Sequence, residues 1–99
     1  MKRTRTSRYD VADHLRTPRE RAAYLEACLE EAGDDAAFIA KALGDIARAS
    51  GMSRVARDAG LSRESLYRAL SGTGSPGFDT ILKVLRSLGL ELRAKARRA

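Results

Sequence analysis

The sequence predicts an all-α domain of five to six helices, and three observations carry that expectation. Apolar residues recur at three- and four-residue steps along most of the chain, the spacing that lines one face of a helix. The gaps between these runs hold residues that end or start helices: Thr17-Pro18, Gly33, Ser50-Gly51, Gly60, Ser62, the stretch from Gly72 to Gly77, and Gly89. Only Leu90-Glu91-Leu92-Arg93 alternates as a strand does, so one short C-terminal strand is the single β element allowed. Ninety-nine residues fill one hydrophobic core, which makes this one domain.

Each element has its own justification. Residues 1–8 hold four bases and no apolar anchor, and read as a flexible basic arm. Tyr9 to Leu15 offers Val11, Ala12 and Leu15 at helical spacing, enough for a short helix or a turn. Thr17 suits an N-cap, Pro18 the first helical position, and Glu20 can reach back to the Thr17 amide as a capping box. Ala22, Leu25, Cys28, Leu29 and Ala32 then line one face of a helix that ends at Gly33. Cys28 on that face reads as a small buried filler, and His14 beside Asp13 as a surface residue. Asp34 and Asp35 start the next helix, since acids favour the positive helix end. Its inner stripe is Ala36, Ile39, Leu43, Ile46 and Ala47, flanked by Phe38 and Ala42, with Gly44 its weak point. Ser50-Gly51 stops it. Ser53 caps a short helix through Ala59, and Ser62 caps another to about Ser71. Gly72, Gly74, Pro76 and Gly77 make a loop. A last helix from Phe78 buries Ile81, Leu82, Leu85 and Leu88, with Gly89 as its left-handed cap. Residues 9–93 are then a single helical domain, and 94–99 a basic, frayed tail.

Composition narrows the function. No apolar run approaches the ~20 residues that span a bilayer, and the basic opening has no apolar stretch behind it, so it is not a signal peptide. One cysteine cannot staple the fold, and one histidine gives no metal-ligand cluster. A secreted mini-protein, a membrane protein and a zinc finger are excluded, leaving a cytoplasmic domain held by packing, with no cofactor and no metal. No Ser/His/Asp set, phosphate loop or paired-carboxylate cleft is present, so the chain does not read as an enzyme and no catalytic residue is named. The net charge of +6 is uneven: +4 over residues 1–8, −5 over 9–47 and +7 over 48–99. Fifteen of the nineteen bases are Arg, the side chain that forks onto phosphates and guanine edges. That asymmetry points to a polyanion partner for the basic part, although a small domain can also be simply arginine-rich and solvated.

The informative stretch runs from Met52 to Ser71. Ala56 is small where two helices would cross closely, and Gly60 allows the positive φ that a tight turn demands. Val55, Ala59, Leu61, Leu66 and Ala69 all face inward if the helices cross steeply. That is the arrangement of a helix-turn-helix, whose second helix lies in the DNA major groove. At about 100° per residue, Leu66, Ala69 and Leu70 form the buried side of the second helix. Glu64, Arg68 and Ser71 point the other way, with Arg63, Ser65 and Tyr67 on the flanks. Arg can take guanine bidentately, Glu can accept from cytosine, and Tyr or Ser can bond phosphate. The alternative is a structural pair of helices whose polar face meets only solvent.

From Asp35 to Leu90 the chain resembles the Xre/Cro-type helix-turn-helix domain, with a Pro-containing loop and a leucine-rich last helix. A narrower likeness rests on Tyr9-Asp10-Val11-Ala12-Asp13-His14-Leu15, Arg21-Ala22-Ala23-Tyr24-Leu25-Glu26-Ala27, Asp45-Ile46-Ala47-Arg48-Ala49 and Gly60-Leu61-Ser62-Arg63-Glu64-Ser65-Leu66-Tyr67. These runs resemble the HigA-like addiction-module antidote proteins, small antitoxins encoded beside RelE/HigB-type toxins. The resemblance implies an antitoxin of a type II toxin–antitoxin module: an autorepressor that binds DNA sequence-specifically and neutralises an mRNA endonuclease. It implies that Arg63, Glu64, Ser65 and Arg68 read the operator while Ser53, Arg54 and Ser62 hold the DNA backbone, with Tyr67 able to do either or to pack against the following loop. Many Xre-type domains place Gln at the start of the first motif helix. Here Ser53 and Arg54 stand there, so phosphate anchoring passes to Arg54 and the helix N-terminus.

The implied partners are double-stranded DNA with a palindromic operator, the toxin, and a second copy of the chain. Leu90 and Leu92, or exposed apolar residues of the last helix, are the candidate dimer contacts. The acidic residues of 9–47 offer a surface to a basic toxin, or serve only as solvated helix faces and caps. Two competing readings stay open: a stand-alone Xre-type repressor, and a helical adaptor that binds only protein. A neighbouring toxin frame separates the first from an antitoxin, and a salt titration of DNA binding separates the second.

Overall fold

The computed structural model describes residues 15–97, and within them the chain forms five helices. They are α1 (Pro18–Ala32), α2 (Ala36–Ser50), α3 (Met52–Ala59), α4 (Arg63–Ala69) and α5 (Phe78–Ser87). α1 begins at the expected capping box. The Thr17 hydroxyl accepts from the Glu20 amide at 3.1 Å, and Glu20 Oε1 accepts from the Thr17 and Arg16 amides at 3.1 and 2.8 Å. These bonds satisfy amides that the first helical turn otherwise leaves without partners. Asp35 caps α2 in the same manner, its Oδ1 accepting from the Phe38 amide at 3.1 Å.

α1 rests on α2, α2 on α3, and α3 on both α4 and α5. The core between them is built from Leu43, Ile46, Val55, Leu66, Val84 and Leu88, joined by Leu15 from ahead of α1, each at most 1% exposed. Full burial of such a side chain contributes roughly 1.5–3 kcal/mol, so this cluster is what holds α3, α4 and α5 in register. α2 runs unbroken through Gly44, which is buried. A Cβ at that position would stand 3.1 Å from the Leu70 carbonyl oxygen. The missing side chain lets the end of α4 sit directly on the α2 backbone.

Two polar ties fix α1. The Arg21 guanidinium donates from Nε to the Leu15 carbonyl at 3.1 Å, from Nη1 to the Leu88 carbonyl at 3.1 Å, and from Nη2 to the Arg16 carbonyl at 3.3 Å. It thereby clamps the entry to α1 onto the residue that follows α5. The Tyr24 hydroxyl donates to Asp45 Oδ2 at 2.8 Å, and Arg48 donates to Asp45 Oδ1 at 2.9 Å. Burial, and then the Asp45 carboxylate, push the Tyr24 phenol above the usual tyrosine range, so it stays protonated and keeps that bond. Burial also raises the Cys28 thiol. Cys28 is buried, as its place on the apolar stripe predicts, and a thiol held protonated is a poor nucleophile.

Several expectations are corrected. The strand over Leu90–Arg93 is absent: residues 90–97 are irregular. The Leu90 amide is already spent on the Leu85 carbonyl at 2.9 Å, closing the end of α5 together with Gly89, whose amide bonds Arg86 at 3.0 Å. No second strand stands beside it among the described residues, and a strand has no ladder without a neighbour. Ser53 does not cap α3. The helix starts at Met52, two residues earlier than a cap at Ser53 would set it, with Gly51 at its N-cap and no side-chain cap bond. Leu82 is 42% exposed and Val84 fully buried instead, because Ile81, Val84, Leu85 and Leu88 share the inner face and Leu82 is turned away from its centre. Ala22 and Leu29 are exposed, since α1 is covered only along the narrow line of Leu25 and Cys28 with Tyr24 beside it, and Ala36 is exposed in the first turn of α2. α4 ends at Ala69 rather than about Ser71. The basic arm at 1–8, the short helix or turn from Tyr9 and the surface placement of His14 lie outside the described residues; Leu15 itself is buried.

Candidate nucleic-acid interface

Between α3 and α4 the chain turns in three residues, Gly60-Leu61-Ser62. Gly60 adopts φ 74° and ψ 31°, the left-handed region in which a Cβ is disfavoured. Its amide bonds the Arg57 carbonyl at 3.1 Å and the Leu61 amide bonds Ala56 at 2.8 Å, the paired bonds that close a helix C-terminus. Ser62 then opens α4, its oxygen accepting from the Ser65 amide at 3.0 Å. Val55, Ala56 and Ala59 from α3 and Leu66 from α4 are buried, while Leu61 and Ala69 pack partly buried against them. The inward set named from the sequence is the inward set of the structure.

The residues singled out for recognition fall into two groups. Some are committed within the chain. The Ser62 hydroxyl donates to Ser65 Oγ at 2.9 Å. Ser71 donates to the Arg68 carbonyl at 3.0 Å, shares a hydrogen with the Thr73 hydroxyl at 2.7 Å, and accepts from the Thr73 amide at 3.2 Å. These serines build the start of α4 and the loop that follows it. Arg63 lies over the Tyr67 ring, 5.5 Å from its centroid, and donates to its hydroxyl at 3.2 Å. That contact braces two long side chains on one flank of the helix.

The others are available. Ser53, Glu64 and Arg68 are exposed and their side chains have no partner among the described residues. Glu64 and Arg68 are four residues apart, so they share one outward face. Ser65, at the edge of that face, lines a shallow cleft with Arg68, Ala69, Gly74, Ser75 and Pro76. On α3, Arg54 reaches Asp58 at 4.0 Å, with both side chains largely in solvent. Arg57 approaches the same carboxylate at 4.0 Å and is 74% exposed. Sequence reasoning missed Arg57, although its three-residue spacing from Arg54 puts both on one side of α3. The resulting surface carries Arg54, Arg57, Arg63 and Arg68 against Asp58 and Glu64, a positive balance on two touching helices. Its donors suit phosphate oxygens and base edges.

Among the described residues no group of three or more His, Cys, Asp or Glu could hold a metal ion, and no helix is long and apolar enough to cross a membrane. No solved structure matches the chain. A Haemophilus influenzae protein described as uncharacterized is 51% identical over 90 residues, covering 91% of each chain. The model of one family, described as probable addiction module antidote protein, matches residues 5–96. With nearly the whole chain matched, the protein belongs to this family of probable addiction module antidote proteins, which implies a cognate toxin as its partner.

Proposed function

We propose that this antidote is also a sequence-specific DNA-binding autorepressor. In this reading α3, the turn at Gly60 and α4 are an Xre/Cro-type helix-turn-helix over residues 52–71, within one domain spanning 9–93. α4 enters the major groove. The observation that carries the reading is the outer face of α4, where Glu64 and Arg68 stand exposed and unpaired one turn apart. A guanidinium there suits the O6 and N7 of guanine, and a carboxylate suits the amino group of cytosine. Arg54, aided by Arg57, takes phosphate on the preceding helix, which crosses the backbone in this motif. Their shared partner Asp58 is no obstacle, because exposed ion pairs contribute only about 0–1 kcal/mol and yield to a phosphate. Ser62, Ser65 and Ser71 shape the reading helix, and the Arg63–Tyr67 pair flanks it.

The protein acts as a homodimer in the cytoplasm, beside its operator. One such module buries too little DNA surface for specific affinity, so two half-sites about one helical turn apart, ~34 Å, are read by two copies. The resemblance to HigA-like antidotes supports a RelE/HigB-type mRNA endonuclease as the toxin. The test has two parts. Fluorescence anisotropy with DNA from upstream of the chain's own reading frame, over a salt series, should show tight binding that weakens steeply with salt, and far weaker binding to scrambled DNA. Co-expression should rescue cells from the product of the neighbouring frame, and the rescued complex should lose its ribosome-dependent mRNA cleavage. Equal affinity for upstream and scrambled DNA contradicts the repressor reading.

A further inference from the structure

α5 carries an apolar stripe that its own fold covers only in part, with Leu82 and Arg86 edging a cleft they share with Asp58 and Ala59 of α3. Phe78 is 67% exposed, the most exposed large hydrophobic residue among those described, and Leu82 one turn later is 42% exposed. Asp79 and Arg86 lie beside them on the same sector of the helix, at roughly 100° per residue. The order along the stripe is acid, leucine, base, with Leu82 near the midpoint. Asp79 and Arg86 are exposed and neither has an ion-pair partner within 4 Å among the described residues.

Such a stripe is complementary to itself. If a second α5 is laid antiparallel on the first about an axis at Leu82, each Asp79 falls opposite the other copy's Arg86. The two leucines meet, and each Phe78 covers the stem of the opposite arginine. An isologous two-fold contact has this property by definition: residue i meets j, and j meets i. Favourable placement along the helix dipole accounts for an acid in the first turn and a base in the last. It does not account for two large apolar side chains, Phe78 before the acid and Leu82 between acid and base, left in water on the same face. The alternative contact through Leu90 and Leu92 would not run along a strand edge, since residues 90–97 are irregular.

We infer that the Phe78–Asp79–Leu82–Arg86 face of α5 is the surface on which a second copy of this chain docks. The inference rests on the dimeric reading above and names the surface that reading leaves open. A single helix pair covers far less than the ~800 Å² per partner of a standard stable interface, so the free dimer is weak and concentration-dependent.

Analytical ultracentrifugation tests this with two charge reversals, Asp79→Arg and Arg86→Asp, on exposed positions where circular dichroism confirms the fold. The wild-type chain should self-associate at tens of micromolar. Each variant alone places like charges opposite each other twice, and its dimer dissociation constant should rise about tenfold or more. An equimolar mixture of the two variants restores both attractive pairs, so it should dimerise as the wild type does. Contacts within one chain cannot produce that rescue in trans. Overturning results are a monomeric wild type, variants that dimerise normally, or a mixture that stays monomeric. Operator binding measured on the same four samples keeps the two readings apart. A dimer that ignores the substitutions but binds operator refutes only the α5 face, whereas rescue in trans without operator binding refutes only the repressor.

Discussion

Replacing Gly60 by Ala isolates the conformational cost of the turn between α3 and α4. At φ 74° an L-residue with a Cβ is disfavoured by about 1–2 kcal/mol relative to glycine. A Cβ built there meets no atom within 4 Å, so no steric cost is added. The expected loss is therefore about 1–2 kcal/mol and no more. For a domain of this size that lowers Tm by roughly 5–15 °C, measured by far-UV circular dichroism on heating or in urea. Gly60→Asn should lose less, because Asn tolerates the left-handed region, and Gly60→Val should lose more, because β-branching does not. Below its melting range Gly60→Ala should keep wild-type DNA affinity, since the turn is strained but not displaced. A loss near zero, or Asn costing more than Ala, would show that the turn is not held left-handed. A loss near 4 kcal/mol would show crowding that the structure does not contain.

Other outcomes follow from the polar ties. Arg21→Met removes a donor to three carbonyls and should cost about 2–3 kcal/mol in urea unfolding, since charged-donor bonds contribute about 1.5–3 kcal/mol each when buried and less at this half-exposed site; Arg21→Lys should recover only part, lacking the fork. Thr17→Ala breaks the capping box and should cost about 1 kcal/mol by the same assay. Tyr24 is favoured as the neutral phenol in the fold. Its stabilisation is therefore full below the ordinary tyrosine pKa of 10.0 and is lost as pH rises beyond it. Tyr24→Phe should flatten that alkaline decline in thermal melts, and an unchanged profile would refute the assignment to Tyr24.

The helices, their caps and the inward faces of α3 and α4 were legible in the sequence because each rests on local chemistry. Thr17 and Glu20 are three residues apart, Ser62 and Ser65 likewise, and Gly60 stands where only a left-handed residue closes the turn. What was not legible depends on distant partners. Arg21 reaches a carbonyl sixty-seven residues away, and Gly44 matters because the chain near Leu70 comes to rest on it. Periodicity reports which residues share a face, not whether anything covers that face, which is why Leu29 and Leu82 fall on apolar stripes yet stand exposed. The alternation at Leu90 to Arg93 is a real pattern without a neighbouring strand to use it. At the candidate interface, Arg54 and Arg68 emerge as exposed, whereas Ser62 and Ser71, also named for DNA contact, have their hydroxyls engaged in the chain's own turns.

The most direct test of DNA reading by α4 compares Arg68→Ala with Arg54→Ala on operator and random DNA across a salt series, after both variants are shown to fold. Arg68 stands unpaired on the outer face of the reading helix, and losing a bidentate base contact costs about 1–3 kcal/mol at one base pair. Arg68→Ala should therefore shrink the gap between operator and random DNA. Arg54→Ala should weaken both alike and flatten the salt dependence by roughly one counterion per subunit. If Arg68→Ala instead lowers operator and random affinity equally, α4 does not read the groove, and the account of this surface is contradicted.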